Sequence, residues 1–151
     1  MEPLELSFRV ACSPEHAFTV WATDTSRWWP ADHTVSAEPS LTVTFEPRPG
    51  GRIFERTRTG VEHDWGEILT WDPPHRLAYL WHLAQDRSDA TEVEITFTGD
   101  PETTTVTITH RGWDRLGSRG PTLRDRNRTG WTTLLPHYER AAATTPPSLG
   151  G

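Results

Sequence analysis

Large apolar residues alternate with polar ones in several short segments, most clearly between residues 62 and 81. The large residues at alternate positions there are Trp65, Leu69, Trp71, Leu77, Tyr79 and Trp81. Residues 72–74, Asp-Pro-Pro, separate two predicted strands. Because successive side chains of a strand point to opposite sides of the sheet, this pattern predicts a hairpin with one aromatic face. Glu67 falls on that same predicted face.

The remaining alternating segments predict five further strands. These strands are expected at about residues 4–10, 41–45, 52–57, 92–97 and 106–110. Between the first two, Ser13, Pro14 and Glu15 supply a capping hydroxyl, a proline for the first helical position and an acidic first turn. A helix is therefore expected from Pro14, with a second helical turn that ends before Pro30.

Apolar residues at three- and four-residue spacing predict a long helix near the C-terminus. They are Trp131, Leu134, Leu135, Tyr138 and Ala142. The Arg-rich segment 111–128 is expected to be a solvated loop, and residues 144–151 a disordered tail. The order is then one strand, one or two short helices, six strands and a long helix, an α+β arrangement. Short turns between strands favour an antiparallel meander, whose apolar face this last helix would cover.

Length and charge narrow the possible classes of protein. The 151 residues predict one domain, residues 1–143. A net charge of −6 argues against binding to nucleic acid. The one cysteine, Cys12, excludes an intramolecular disulfide, and no His–Cys spacing indicates a metal, so we expect no metal and no cofactor. Without a signal peptide or an apolar run of about 20 residues, a cytoplasmic protein with no membrane partner is expected.

Several motifs resemble those of the SRPBCC (START-like, helix-grip) superfamily, and in particular the bacterial relatives of the activator of the ninety-kilodalton heat-shock protein ATPase. The motifs lie at residues 13–18 (SPEHAF), 28–29 (WW), 49–51 (PGG), 65–66 (WG) and 72–77 (DPPHRL). The resemblance extends from about residue 4 to residue 142. It implies a helix-grip fold, in which about seven curved antiparallel strands wrap around the C-terminal helix and leave a cavity between sheet and helix.

Such a cavity would be lined by aromatic residues and a few polar ones. The candidate ligand-binding residues are Trp29, Glu55, Trp65, Glu67, Leu69, Tyr79, Trp81, His110, Trp131, Leu134, Leu135 and Tyr138. Glu55, Glu67 and His110 lie on otherwise apolar predicted faces. A carboxyl group beside indole rings is expected to have a raised pKa, as a general acid or base needs. Alternatively, the two carboxylates pair with arginines or reach solvent, and none of the three is assigned as catalytic.

Three functions remain open, because the fold does not determine the function. The resemblance favours a non-enzymatic protein that sequesters or carries a hydrophobic, partly aromatic small molecule, in natural-product self-resistance or as a biosynthetic accessory. The second hypothesis is a polyketide aromatase, cyclase or dehydratase with Glu67 and His110 as the acid–base pair. The third is a protein-binding module that stimulates a chaperone ATPase. A collapsed cavity would favour the third hypothesis, which the net acidity and short loops do not specifically support.

Overall fold

Seven antiparallel strands form one sheet in the computed structural model, which describes residues 2–83 and 85–143. The strands are β1 (Leu4–Val10), β2 (Thr42–Phe45), β3 (Arg52–Arg56), β4 (Glu62–Asp72), β5 (Arg76–Trp81), β6 (Thr91–Gly99) and β7 (Thr104–Arg111). Their order across the sheet is β1-β7-β6-β5-β4-β3-β2, so only the β1–β7 neighbours are distant in sequence. The predicted α+β helix-grip architecture is confirmed. The predicted disordered tail, residues 144–151, lies outside the described residues.

Helical segments lie before the meander and after it. They are α1 (Pro14–Ala22), α2 (Thr25–Trp28) and α3 (Gly120–Ala143), with short 3-10 segments at Ala31–His33, Arg87–Asp89 and Trp113–Arg119. The Ser13 hydroxyl accepts a hydrogen bond from the His16 amide at 3.2 Å, and Pro14 stands in the first turn, as predicted. None of the helices in the described part of the chain is long and apolar enough to cross a bilayer.

The C-terminal helix begins earlier than the sequence pattern indicated. Residues 111–128 were predicted to be a loop, but they include the 3-10 segment Trp113–Arg119 and the first two turns of α3. The prediction failed because the inward side of the first turns of α3 carries few apolar residues. Leu123 is only half-buried and lines a pocket together with Asn127, so the stripe of apolar residues that marks a buried helix is incomplete there.

A row of inward side chains crosses the central strands and reaches β1. Tyr79 on β5 lies opposite Val93 on β6, which lies opposite His110 on β7, and His110 lies opposite Leu4 on β1. All four are buried. The helix α3 covers this surface: Trp131 donates a hydrogen bond from Nε1 to His110 Nδ1 on β7, 3.1 Å away. Tyr138 donates from its hydroxyl to a carbonyl oxygen of α1, 2.8 Å away. These contacts fix the helix against both the sheet and α1.

Strand β4 departs twice from regular alternation. Its pairing with β3 passes over Trp65, and its pairing with β5 passes over Leu69. Each bulge reverses the side on which the following residues lie. Trp65 and Trp71 therefore both face inward, while Ile68 replaces Glu67 on the inner side. The prediction that Glu67 and Leu69 share the aromatic face was wrong, and Leu69 is 38% exposed.

Candidate ligand-binding site

Four aromatic residues in the interior are fully buried from solvent. We call them the closed cluster. The closed cluster consists of Trp21, Trp65, Tyr79 and Tyr138, all 0% exposed. The rings of Trp21 and Tyr138 lie 4.8 Å apart, and those of Trp65 and Tyr79 both pack against Trp81, at 5.7 and 5.6 Å. Leu135 is also buried in the core. Four of the predicted ligand contacts, Trp65, Tyr79, Leu135 and Tyr138, are thus packed by neighbouring side chains in the free protein.

Glu55 serves as an anchor inside the protein. Its buried carboxylate accepts hydrogen bonds from the Val35 amide (2.6 Å), the Ser36 amide (2.9 Å), the Ser36 hydroxyl (2.6 Å) and Trp65 Nε1 (2.7 Å). Burial by itself would raise the pKa of Glu55, but these hydrogen bonds outweigh burial and lower the pKa below its usual value. The expected raised pKa was therefore wrong for Glu55. The carboxylate is ionised and holds the segment before β2 against the sheet.

His110 is a neutral bridge between the sheet and α3. Its Nδ1 accepts a hydrogen bond from Trp131 Nε1 at 3.1 Å, which leaves the ring proton on Nε2, 2.6 Å from the Thr91 hydroxyl. Burial lowers the pKa of His110 to about 3. Glu67 lies on the other side of the sheet, where it forms an ion pair with Arg87. The predicted acid–base pair of Glu67 and His110 was therefore wrong.

An open cavity lies beside the closed cluster, between the end of β5, the first half of α3 and the 3-10 segment Ala31–His33. This side cavity consists of two adjoining pockets of about 80 and 340 Å³ that share several lining residues. Its apolar wall is formed by Trp29, Trp81, Leu83, Trp113, Leu116, Leu123, Trp131 and Leu134. Four of the twelve residues predicted from the sequence, Trp29, Trp81, Trp131 and Leu134, line this cavity.

The polar residues of the side cavity lie together toward its larger pocket. They are His33, His82, Gln85, Asp89, Thr91, Arg126 and Asn127. His33 Nδ1 lies 2.9 Å from Asp32 Oδ1, and Asp89 pairs with Arg119 at 3.0 Å. His82 is only 8% exposed. Within the described ranges 2–83 and 85–143, no group of three or more His, Cys, Asp or Glu residues is placed to hold a metal ion.

Sequence reasoning missed the polar end of the cavity and part of its helical wall. His33 lies in a 3-10 segment, and His82 directly follows the last residue of β5. One available signal was the spacing of Leu123, Asn127 and Trp131, four residues apart, which continues the predicted stripe of α3 toward its N-terminus. A polar residue within that stripe indicates a helix face that lines a cavity.

This arrangement combines flat apolar surfaces with a cluster of groups that exchange protons or form hydrogen bonds. The rings of Trp29 and Trp81 lie 5.7 Å apart, and Trp29 donates a hydrogen bond from Nε1 to the His33 carbonyl oxygen at 3.0 Å. The apolar wall and the polar end are therefore directly connected. Chemically, the cavity suits a compound with an aromatic end and an oxygen-rich end.

Solved structures similar to this chain include a synthase and a resistance protein. Txn09, described as an anthrahydroquino-gamma-pyrone synthase complexed with SUM, is 32% identical; the match covers 93% of this chain and 97% of Txn09, with a TM-score of 0.65. CalC, described as a self-sacrificing resistance protein from Micromonospora echinospora, is 25% identical over 93% of this chain and 94% of CalC, with a TM-score of 0.68.

The Aha1 dimer from Colwellia psychrerythraea is similar at the level of the fold alone. It is 17% identical over 95% of this chain and 97% of that chain, with a TM-score of 0.68. None of the curated proteins compared with this chain matches it.

A family model covers most of the chain. The model described as Activator of Hsp90 ATPase homolog 1-like protein, AHSA1, matches residues 11–139. That range includes β2 to β7 and most of α3, and therefore every residue named above as lining the side cavity. The resemblance noted in the sequence is thus confirmed, and the chain belongs to the AHSA1 family, the Activator of Hsp90 ATPase homolog 1-like proteins.

Proposed function

We propose that this protein binds a flat, partly aromatic natural product in the side cavity, and that it takes part in the biosynthesis of such a compound or in resistance to it. The observation that carries this proposal is the wall of three indole rings, Trp29, Trp81 and Trp131, around an open space. The similarity to Txn09, described as an anthrahydroquino-gamma-pyrone synthase, supports a flat ring compound as the ligand, and the similarity to CalC, described as a resistance protein, supports a role in resistance.

The physical basis of binding would be burial and stacking of flat rings. Indole side chains offer large apolar surfaces and lose little conformational freedom on binding. Burial of apolar surface contributes about 25 cal/mol for each Å² removed from water. The three indole rings line the smaller pocket, of about 80 Å³. The adjoining larger pocket, which Trp81 and Trp113 line, has about 340 Å³ and falls within the range of about 300–1,000 Å³ that is usual for small-molecule sites.

The open cavity counts against the third hypothesis, in which the protein is a module that stimulates a chaperone ATPase. That hypothesis would be favoured by a collapsed cavity, and the space between β5 and α3 is open. The Aha1 dimer is related to this chain at the level of the fold. Binding of a small molecule therefore has the better support.

A second candidate function, ring closure on the bound compound, is favoured by one specific observation. His82 lines the larger pocket and is 8% exposed, and His33 lines the same pocket. Imidazole groups at the wall of a cavity can exchange protons with a bound compound. The relative with 32% identity is described as a synthase.

Binding is tested by titration with hydroxylated anthraquinones, followed by tryptophan fluorescence corrected for absorption by the ligand. We expect saturable quenching, since the three indole rings line the site. A large substitution at Gly130 is expected to fill the cavity, because this residue lines both pockets and a Cβ added there meets no atom within 4 Å. Gly130→Leu is expected to lower affinity at least about tenfold, which corresponds to about 1.4 kcal/mol.

The matched control for this variant is Thr133→Leu, on the exposed side of the same helix. It adds the same side chain outside the cavity and is expected to leave the affinity unchanged. Mass spectrometry of the recovered ligand then distinguishes binding without change from conversion. If no anthraquinone binds, or if Gly130→Leu binds as well as the parent protein, binding in the side cavity is refuted.

A further inference from the structure

Two histidines from different elements lie at the polar end of the side cavity. His33 belongs to the 3-10 segment Ala31–His33, and His82 follows β5. Both line the larger pocket, which Trp81 also lines. An aromatic ligand held against Trp81 would therefore have imidazole groups at one end.

The surroundings of His33 favour one protonation pattern. Its Nδ1 lies 2.9 Å from the carboxylate oxygen Oδ1 of Asp32, which has only acceptor atoms when ionised. The ring proton of a neutral His33 is therefore held on Nδ1, and Nε2 carries the lone pair. The hydrogen bond to His33 also lowers the pKa of Asp32, so the carboxylate is ionised at neutral pH. This arrangement orients a base.

His82 differs from His33 in being almost completely enclosed. It is held by its backbone, because its amide donates to the Trp65 carbonyl oxygen at 2.8 Å. The residue is 8% exposed, and it lines the larger pocket. Imidazole is the side chain that both gives and takes protons near neutral pH. A fixed imidazole that faces a cavity is suited to exchange a proton with a bound ligand.

The other ionisable groups near the cavity are unsuited to proton transfer. Arg126 lines the larger pocket, but a guanidinium group stays protonated in proteins. Asp89 is paired with Arg119 at 3.0 Å. Glu55 receives hydrogen bonds from backbone and side chains and does not line the cavity. His110 is held between Trp131 and Thr91. The two remaining candidates for proton transfer at the polar end are His33 and His82.

We propose that His33 and His82 act as an acid–base pair that closes a pyranone ring on the bound compound, with loss of water. The substrate class is a flat aromatic phenol that carries a β-diketone chain next to its hydroxyl. The aromatic rings would lie along the wall of Trp29, Trp81 and Trp131, and the diketone chain would reach the histidines. This inference rests on the second candidate function proposed above and assigns its substrate class and its residues.

The reaction begins with addition of the phenol to the far carbonyl group. His33 Nε2 takes the phenolic proton, the phenolic oxygen forms a bond to the carbonyl carbon, and protonated His82 gives its proton to the carbonyl oxygen. The product is a cyclic hemiketal. His33 is now protonated and His82 is neutral, so the number of protons on the pair is unchanged.

Loss of water then completes the ring. His33 returns its proton to the hemiketal hydroxyl, which leaves as water with the electrons of the broken carbon–oxygen bond. His82 removes a proton from the neighbouring methylene carbon, and that electron pair forms the ring double bond. Both histidines return to their starting states. One water is released for each ring, and the reaction needs no oxidant or reductant.

The test uses the full chain and a defined probe, an anthraquinone with a hydroxyl group next to a β-diketone chain. Ring closure is followed by mass spectrometry as the loss of one water, against a control with free imidazole at the same concentration. We expect the protein to accelerate closure. His82→Asn and His33→Asn should each lower kcat by about 10²–10⁴-fold, the usual contribution of a positioned general acid or base.

The matched control is His75→Asn, because His75 lies in the turn before β5, at the opposite end of the strand from His82. Its kcat should equal that of the parent protein. Affinity for the cyclised product, measured by fluorescence, should persist in all three variants, which shows that they fold. His82→Gln serves as a second variant if His82→Asn does not fold.

The outcomes separate this inference from the binding proposal. If the protein binds the probe but does not accelerate closure, the inference is overturned and the binding proposal stands. If closure is accelerated but both histidine variants keep the parent rate, the assignment of the two histidines is overturned. If the probe and hydroxylated anthraquinones both fail to bind, the binding proposal and the inference fail together.

Discussion

Trp29 and Trp65 are neighbours with ring centroids 4.9 Å apart, yet they belong to two different regions of the interior. Trp65 lies in the closed cluster, is 0% exposed and donates to Glu55 at 2.7 Å. Trp29 is half-buried and forms part of the wall of the side cavity. The same residue type thus fills the core at position 65 and faces an open space at position 29.

The difference shows that exposure to an open space, more than aromatic content, distinguishes the binding site from the core. In the closed cluster two of the four side-chain polar atoms have protein partners: Trp65 Nε1 donates to Glu55, and the Tyr138 hydroxyl donates to the carbonyl oxygen of Ala17. The Tyr79 hydroxyl and Trp21 Nε1 are buried without a hydrogen bond of normal geometry, but they line neither pocket of the side cavity. His33 and His82, in contrast, line the larger pocket, where a ligand could reach them.

The sharpest test of this comparison removes one indole from each region. Trp65→Ala is expected to lower the free energy of unfolding by about 3–5 kcal/mol, because it leaves a large hole in a packed core. Trp29→Ala should cost clearly less stability but weaken binding of hydroxylated anthraquinones. Urea unfolding and fluorescence titration measure the two effects. Equal losses of stability in the two variants would remove the distinction between the regions.

A second comparison contrasts the two glutamates that the sequence placed on apolar faces. Glu55→Gln should lower the free energy of unfolding by about 1–3 kcal/mol, since an amide leaves at least one of the four buried donors around it without an acceptor. Glu67→Gln removes only a surface ion pair with Arg87, for which about 0–1 kcal/mol is expected. A larger effect at Glu67 than at Glu55 in urea unfolding would contradict this assignment.

The sequence predicted the fold where each strand alternates regularly. On β6 and β7, every second side chain is buried, and the pattern of Val93, Ile95, Val106 and Ile108 was read correctly. The prediction of the inward side chains failed on β4, since the position of a bulge depends on which residues of the neighbouring strands form hydrogen bonds. That information is absent from the apolar pattern of β4 alone.

The candidate site was predicted in part for a similar reason. Trp29, Trp81 and Trp131 were identified because large aromatic side chains and helical spacing are visible in the sequence. His33 and His82 were missed because they meet only after a 3-10 segment and the end of a strand come together in the fold. Contacts between distant loops depend on the whole tertiary structure, and single-sequence patterns do not contain them.

The bridge at His110 predicts a dependence of stability on pH. Unfolded histidine takes up a proton near pH 6.5, whereas burial keeps the pKa of folded His110 at about 3. Between these values the unfolded state binds more protons, so stability is lost as the pH falls, by up to about 1.4 kcal/mol per pH unit. Urea unfolding between pH 6.5 and pH 4.5 measures this slope.

The variant that tests this pH dependence is His110→Gln, which lacks the titrating group and should show a smaller slope. The control is His75→Gln. It removes an exposed histidine outside the interface between sheet and helix, and it should leave the slope nearly unchanged. Glu55 also loses its contribution to stability as the pH falls, but only below the ordinary pKa of an unfolded glutamate, 4.5, and thus below the pH range of this measurement. An unchanged slope in His110→Gln would show that this histidine titrates normally in the folded protein.

The smallest expected change in stability is for a substitution at Gly130, which lines the side cavity. In the packed core an added methyl group would meet neighbouring atoms, but a Cβ at Gly130 meets nothing within 4 Å. Gly130→Ala should therefore raise the free energy of unfolding by about 0.5–1 kcal/mol, because alanine restricts the unfolded chain and favours the helix. Calorimetric melting would detect this gain. A loss of stability would mean that the space beside α3 is closed in solution, and that both regions of the interior are packed cores.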